Sequence, residues 1–296
     1  MEDNFSSILQ KSIKKLSNSP VLLLAGILVG ILSLSGLAIY GHFDTGVQDL
    51  ASVFAVVVLP LIIMPFIVGG ALGYALEARQ KDTSSMKTFI DSGAKHYVKL
   101  FLGGIVAFLA FYFLIFTLAL AFAIFLSAPL IGVLLLAGAV VLSFIGLMTI
   151  EFYDIAIVAD GANVREAFFK SIDFARRNMA QVAVFFIIIV LAKYILVQIP
   201  LIGGATGEYM TNSTFMNMTS SLNASLNSTM NSTFTTALST PITFGAPSLI
   251  MVAILQVIIQ GFVFAFVILY KTEFYLTVKD RRKITDFDYS FDEKKP

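Results

Sequence analysis

Three sets of polar residues in this chain are of types that do chemistry, and each sits in apolar or uncharged surroundings. Lys193 falls inside an apolar run over 181–202. It lies about nine residues from the end of that run, so roughly 13 Å deep at about 1.5 Å per residue. Gln256 is about as deep in the next apolar run, and Gln260 follows one turn later on the same helix face. A lysine at such depth is costly to insert and marks an ion or solute path by default. Its stem also lets the ammonium snorkel outward, which is a structural use.

Glu151 and Asp154 close another apolar run, three residues apart and hence neighbours on a helix, with Asp160-Gly161 just beyond. Paired carboxylates can do acid–base or metal work. No His or second acidic pair joins them in sequence, and His42 and His96 lie far apart. Helix capping or contact with Arg165, Arg176 and Arg177 is the plainer use. The chain has no cysteine, which removes disulfides, iron–sulfur ligation and thiol chemistry together. HExxH, GxSxG and Gly-rich phosphate loops are absent. No catalytic residue, cofactor or metal is assigned, and the chain is expected not to be an enzyme.

The third set is five asparagines, Asn212, Asn217, Asn223, Asn227 and Asn231, each opening an Asn-x-Ser/Thr sequon. Such an acceptor is useful only on the non-cytoplasmic side. The segment between Thr211 and Thr240 holds no Lys, Arg, Asp or Glu, and apolar residues recur every four positions from Met218 to Leu238. A glycosylated outer loop and an unmodified polar tether both fit.

These residues need apolar elements to hold them, and composition supplies them. Hydrophobic residues make up 57% of the 296 and charged ones 13%, against about 25% charged in soluble domains. Mean hydropathy is +0.87. An integral membrane protein is expected, with the lipid bilayer as its first partner. Nucleic-acid binding has no support, since no basic face is interleaved with aromatics. A spanning helix needs about 20 mostly apolar residues, and six stretches qualify: 20–40, 51–76, 98–126, 129–150, 181–202 and 248–270. Ser127-Ala128-Pro129 is a tight hairpin between the third and fourth. Ser19-Pro20 starts the first, which reads as an uncleaved anchor. Putting the 203–247 loop outside sends both termini and the 77–97 and 151–180 loops to the cytoplasm. Nineteen of the 20 Lys and Arg residues then lie inside or at the inner boundary, Lys193 being the exception. That is the positive-inside pattern, and it predicts a multi-pass protein of the cell membrane with cytoplasmic N- and C-termini and a cytoplasmic tail over 271–296.

Residues 4–17 place Phe5, Ile8, Leu9, Ile13 and Leu16 on one helix face. Residues 84–97 do so with Met86, Phe89, Ile90 and Tyr97, and residues 162–176 with Val164, Ala167, Phe168, Ile172 and Ala175. Each precedes a span and has the composition of an interfacial helix. Leu9-x-x-Ser12, Phe89-x-x-Ser92 and Phe168-x-x-Ser171 stand 80 and 79 residues apart, so the chain parses as three units, each an amphipathic helix and a transmembrane hairpin. Gly69-x-x-x-Gly73 and Gly261-x-x-x-Ala265 would let helix backbones approach closely. Pro60 and Pro65 predict a kinked or interrupted second span, either a discontinuous helix on a substrate path or a kink packed against neighbours.

Phe152 to Asn178 carries a more specific pattern: Val158, Asp160-Gly161, Glu166-Ala167, Ser171 and Arg176-Arg177-Asn178, with an additional Ala159 in the turn. It resembles a widespread set of uncharacterised six-span proteins similar to the membrane domain attached to some glycerophosphodiester phosphodiesterases. The pattern is not catalytic there, so the resemblance implies a fold and no activity. Many such standalone proteins are archaeal, and the resemblance implies an archaeal source.

The expected protein is all-α, a polytopic six-helix bundle of three such units in a single membrane domain. Its expected role is a non-enzymatic scaffold or accessory protein, acting on a membrane-protein partner or as a homo-oligomer. The alternative is a transporter or channel for a small solute or lipid, using the Pro60/Pro65 helix and Lys193.

Overall fold

The computed structural model describes residues 5–40, 58–81, 84–193 and 246–292, with side chains over 5–33, 58–81, 84–193 and 253–280. All elements in these residues are helices: α1 (Phe5–Ser17), α2 (Pro20–Tyr40), α3 (Leu59–Lys81), α4 (Met86–Ser127), α5 (Pro129–Ile150), α6 (Tyr153–Asp160), α7 (Val164–Arg177), α8 (Met179–Lys193) and α9 (Ala246–Asp292). Among the described residues four helices are long and apolar enough to cross a membrane, or up to six if each of two bent pairs counts as one span. The long apolar helices suit a membrane protein.

Both bends lie where the sequence breaks the helix. α1 meets α2 at 88° across Asn18-Ser19, with Pro20 opening α2, and α7 meets α8 at 104° across Asn178. Amphipathicity decides which face of each short helix turns inward. In α1 the buried residues are Ile8, Ser12 and Leu16, and Phe5 stacks on Phe274 at 6.0 Å. In α7 they are Ala167, Ser171, Phe174 and Ala175. Ile13 and Ile172, expected on those faces, are instead exposed.

The segment 84–97 departs from the expectation of a third separate amphipathic helix. Ser85 caps it by accepting from the Thr88 N–H at 3.3 Å, and it then runs without a break into the apolar stretch as one 42-residue helix. The reason is local. Neither Pro nor Asn stands between His96 and Gly103, whereas both bends carry Asn. At about 1.5 Å per residue α4 is about 63 Å long, about twice the hydrocarbon thickness. α3 is likewise one helix through Pro65, with Pro60 in its first described turn.

Small residues bring the helices together. A Cβ on Gly70 would lie 2.7 Å from the Phe89 carbonyl oxygen, one on Gly73 would strike the Ser92 side chain, and the Ser92 hydroxyl donates to the Gly69 carbonyl at 2.9 Å. The Gly69/Gly73 pair therefore does seat α3 against α4. Gly261 meets Gly26 in the same way: a Cβ on Gly26 would clash with the Gly261 carbonyl oxygen, and one on Gly30 would lie 2.8 Å from that of Val257. Gly26-x-x-x-Gly30 in α2 is thus a further small-residue pair at a helix contact.

α9 runs as one helix past the apolar stretch that ends at 270, to Asp292. Tyr270, Lys271, Thr272, Glu273, Phe274 and Tyr275 are all buried. Around them the rings of Phe152, Phe174 and Phe185 form an aromatic core, with Phe185 4.5 Å from Phe274 and 5.1 Å from Tyr270.

Candidate functional site

The end of α5 is where buried charge collects. The backbone turns at Glu151-Phe152 before α6 begins, and the Phe152 ring is fully buried against Phe174 and Phe185 at 4.8 and 5.1 Å. The turn is held from α7: the Ser171 hydroxyl donates to the Thr149 carbonyl and accepts the Phe152 N–H at 3.2 Å. One hydroxyl thus satisfies backbone groups that the break would otherwise leave unmade.

Glu151 and Asp154 stand at the same turn, and both face one ammonium. Lys271, itself 4% exposed, reaches them from α9. Its ammonium lies 3.2 Å from Glu151 Oε1 and 2.8 and 2.9 Å from the two oxygens of Asp154, and 5.9 Å over the Phe152 ring. Asp154 Oδ1 also accepts the Ile155 N–H at 2.7 Å. The expected partners, Arg165, Arg176 and Arg177, are not the ones found: Arg177 pairs with Asp173 at 2.6 Å, and Arg165 lies over the Phe169 ring. The arginines sit on α7's outer side, while Lys271 approaches through the core.

Helical spacing along α9 repeats this arrangement. Lys271, Tyr275 and Lys279 fall at i, i+4 and i+8, one face. The Tyr275 hydroxyl donates to Asp160 at 3.0 Å, and the Lys279 ammonium pairs with the same carboxylate. Lys170 stands 4.0 Å from Asp160 and 2.8 Å from Glu166, and that pairing holds the Glu166 carboxyl below its ordinary range. Glu273 and Asp280, seven apart, point the other way. Glu273 binds Lys15 of α1 at 2.6 Å and Arg79 of α3 at 3.7 Å, and Arg79 reaches Asp280 at 3.2 Å. One stretch of α9 therefore ties α1, α3, the α5–α6 turn and α6 together through ion pairs, and Lys170 of α7 joins the same Asp160.

Gly161 completes the segment. It ends α6 at φ 66°, a left-handed conformation that costs glycine least, and its carbonyl accepts from Lys99 of α4 at 2.9 Å. The pattern from Val158 to Asn178 is therefore legible as structure. Asp160 holds α9, Gly161 reverses the chain, Ser171 holds the turn, and the Asn178 amide donates to Phe174 at the second bend.

Two cavities adjoin Asp154. One, about 370 Å³, lies against Phe111, Leu147, Ile150, Glu151, Phe186 and Lys271. The other, about 440 Å³, lies against Pro60, Met64, Pro65, Leu100, Gly104 and Tyr112. Phe108, Tyr153 and Asp154 line both. Chemically the carboxylates are engaged: both oxygens of Asp154 and one of Glu151 already contact the ammonium. Among the described residues no group of three or more His, Asp or Glu side chains is placed to hold a metal ion.

Lys193, Gln256 and Gln260 all fall among the described residues. Lys193 is exposed at the end of described α8, and Gln256 is buried with no partner for its Oε1. Gln260 Oε1 also lacks one. Asn212, Asn217, Asn223, Asn227 and Asn231 lie outside the described residues. Taken singly, Lys271, Lys279, Lys15 and Arg79 carried only an inner-side charge signal, and Glu273 and Tyr275 carried none. The i, i+4, i+8 spacing from Lys271 and the unmatched acidic pair at 151 and 154 were the available signals.

Residues 5–278 match the family model described as "Domain of unknown function (DUF7847)", and the chain belongs to that family. No curated protein and no solved structure matches it.

Proposed function

We propose that this member of the family is a non-enzymatic scaffold or accessory protein of the cell membrane. In this reading both termini are cytoplasmic, α1 and α7 lie along the inner leaflet, and the segment 203–247 is outside and glycosylated. The observation that carries it is the use of the buried charges. Lys271, Glu273, Asp154 and Asp160 are all spent on joining helices, whereas turnover needs an acid or base free to exchange protons. The nearly perpendicular bends support the leaflet placement, because they turn two amphipathic helices across the long apolar ones. The likeness of residues 152–178 to the membrane domain of glycerophosphodiester phosphodiesterases supports a membrane module without an active site, and an archaeal source. The exposed Phe169 and Ile172 of α7 are the surface for a membrane-protein partner or a second copy.

A cysteine at Ile172 should cross-link in native membranes to one discrete larger species. Cysteines at Ser220 and Ser290 should be labelled from opposite sides by an impermeant thiol reagent. Labelling of both from one side removes the six-span topology, and unchanged mass on changing Asn223, Asn227 and Asn231 to Gln removes the glycan. The second reading, a transporter or channel for a small solute or lipid, draws on the cavity beside Pro60, Pro65 and Asp154. Solute flux from proteoliposomes, with no cross-linked species, would favour it.

A further inference from the structure

The pair of cavities at Asp154 combines features that the ion pairs alone do not require. Their common wall holds two aromatic rings, Phe108 and Tyr153, beside a carboxylate that is buried. Phe111 adds a ring in the first cavity and Tyr112 in the second. Phe186, Glu151 and Lys271 complete the first cavity's polar and aromatic lining, and aliphatic side chains close the rest, Leu147 and Ile150 on one side and Leu61 and Val68 on the other. Each volume falls within the range of about 300–1,000 Å³ usual for ligand sites. The flank of α4 beyond them is apolar and exposed, with Leu109, Phe113 and Phe116 all more than 60% exposed.

Charge decides what chemistry suits this space. Glu151 and Asp154 contribute two carboxylates, and Lys271 one ammonium, so the buried group carries an excess negative charge. That disfavours an anion against Asp154. Aromatic faces beside a carboxylate favour an organic cation, through cation–π attraction and ion pairing. Aliphatic walls continuing onto an exposed apolar helix face favour a cation with hydrocarbon chains attached. We propose that these cavities bind the headgroup and upper chains of a bilayer phospholipid that carries an ammonium group. Its ammonium sits between Asp154, Glu151 and the rings of Phe108 and Tyr153. Its phosphate lies toward Lys193, seven residues beyond Phe186 on the same face of α8. Its chains follow α4 toward the membrane interior. This rests on the membrane placement proposed above and adds a ligand to it.

Gly104 gives a direct test. It lines the second cavity, and a Cβ there would meet only the Tyr153 hydroxyl, at 3.9 Å. Gly104→Leu should therefore fill the space without disturbing a helix contact. The full-length protein is purified in detergent and offered phosphatidylethanolamine, phosphatidylcholine and phosphatidylglycerol with matched chains, and retained lipid is counted by native mass spectrometry. The two ammonium lipids should be held about tenfold more tightly than phosphatidylglycerol. Gly104→Leu should lose that preference at unchanged melting temperature, Phe108→Ala should weaken it for both ammonium lipids, and Lys193→Met should weaken zwitterionic lipids alone, not a single-chain alkyltrimethylammonium. Equal retention of phosphatidylglycerol overturns the proposal, as does full preference in a folded Gly104→Leu. If that variant fails to fold, unchanged preference in Phe108→Ala overturns it. Competition by tetramethylammonium as strong as by the lipids assigns the site to a soluble cation and also overturns it. The Ser220 and Ser290 labelling, read on the same preparation, reports a failure of the topology separately.

Discussion

The α4–α5 hairpin and the inner end of α9 obey opposite packing rules. Within its most apolar window α4 is 11% buried and the α5–α6 stretch 17%, against 44% for both α3 and α9. Leu126, Leu130 and Leu134 around the hairpin stand 68%, 86% and 74% exposed. At the other end of the molecule lysines and carboxylates are interior residues. In a bilayer this contrast is expected, because lipid tails are as apolar as leucine and give leucine no reason to seek protein. What then fixes helix positions is the close approach of small residues and the pairing of buried charges. α9 carries both, Gly261 in its first half and Lys271 to Asp280 in its second.

The largest effect that could break the comparison is at Lys271. Lys271→Met leaves Glu151 and Asp154 side by side without their cation. Removing one partner of a buried ion pair costs about 3–5 kcal/mol, read from the unfolding midpoint in detergent. Adding Glu151→Gln and Asp154→Asn to Lys271→Met should recover most of that loss, because the penalty comes from unpaired charge. A single Lys271→Met as stable as the native chain would show that the hub does not hold the helices.

Glycines give the next effect, with opposite signs in the two regions. Gly26→Ala must push the Gly261 backbone away, since the new Cβ would lie 2.2 Å from its carbonyl oxygen, and overpacking of this kind costs about 1–3 kcal/mol. Gly138→Ala in α5 meets nothing within 4 Å and should stabilise by about 0.5–1 kcal/mol through helix propensity. Both are measured by thermal unfolding in the same detergent. Destabilisation by Gly138→Ala would place an unrecognised contact on the hairpin.

Sequence made the hairpin region the more legible of the two. Apolar length, the Ser127-Ala128-Pro129 break and Pro20 give α2, α5 and the C-terminal end of α4 nearly to the residue, because hydropathy and proline act locally. The bends at Asn18 and Asn178 and the Gly69/Gly73 contact were readable for the same reason. The hub was not. Lys271 and Glu273 stand just past an apolar run, where charge ordinarily means solvent, and their burial depends on residues 120 and 258 positions away. Glu151 and Asp154 were visible as a pair lacking a cation, but several cations were available and periodicity could not choose among them. The continuity of α4 through 84–97 was hidden by a good amphipathic pattern, which shows which face is buried and not where a helix stops.

The smallest expected effect sharpens the comparison most for function. Leu134 points out of the hairpin, 74% exposed, and Leu134→Ala removes no protein neighbour that the bilayer does not replace. Its cost in a lipid nanodisc holding one copy should stay within about 0.5 kcal/mol, as at an ordinary surface position. The same should hold in native membranes if lipid is what covers the hairpin. A scaffold with a partner on this face would behave differently there, because truncating a leucine inside a protein–protein contact leaves a gap that lipid cannot enter. Stability that is unchanged in single-copy nanodiscs but clearly lowered in native membranes would move the partner surface from α7 to the α4–α5 hairpin. Equal, small effects in both keep Phe169 and Ile172 as the surface to cross-link.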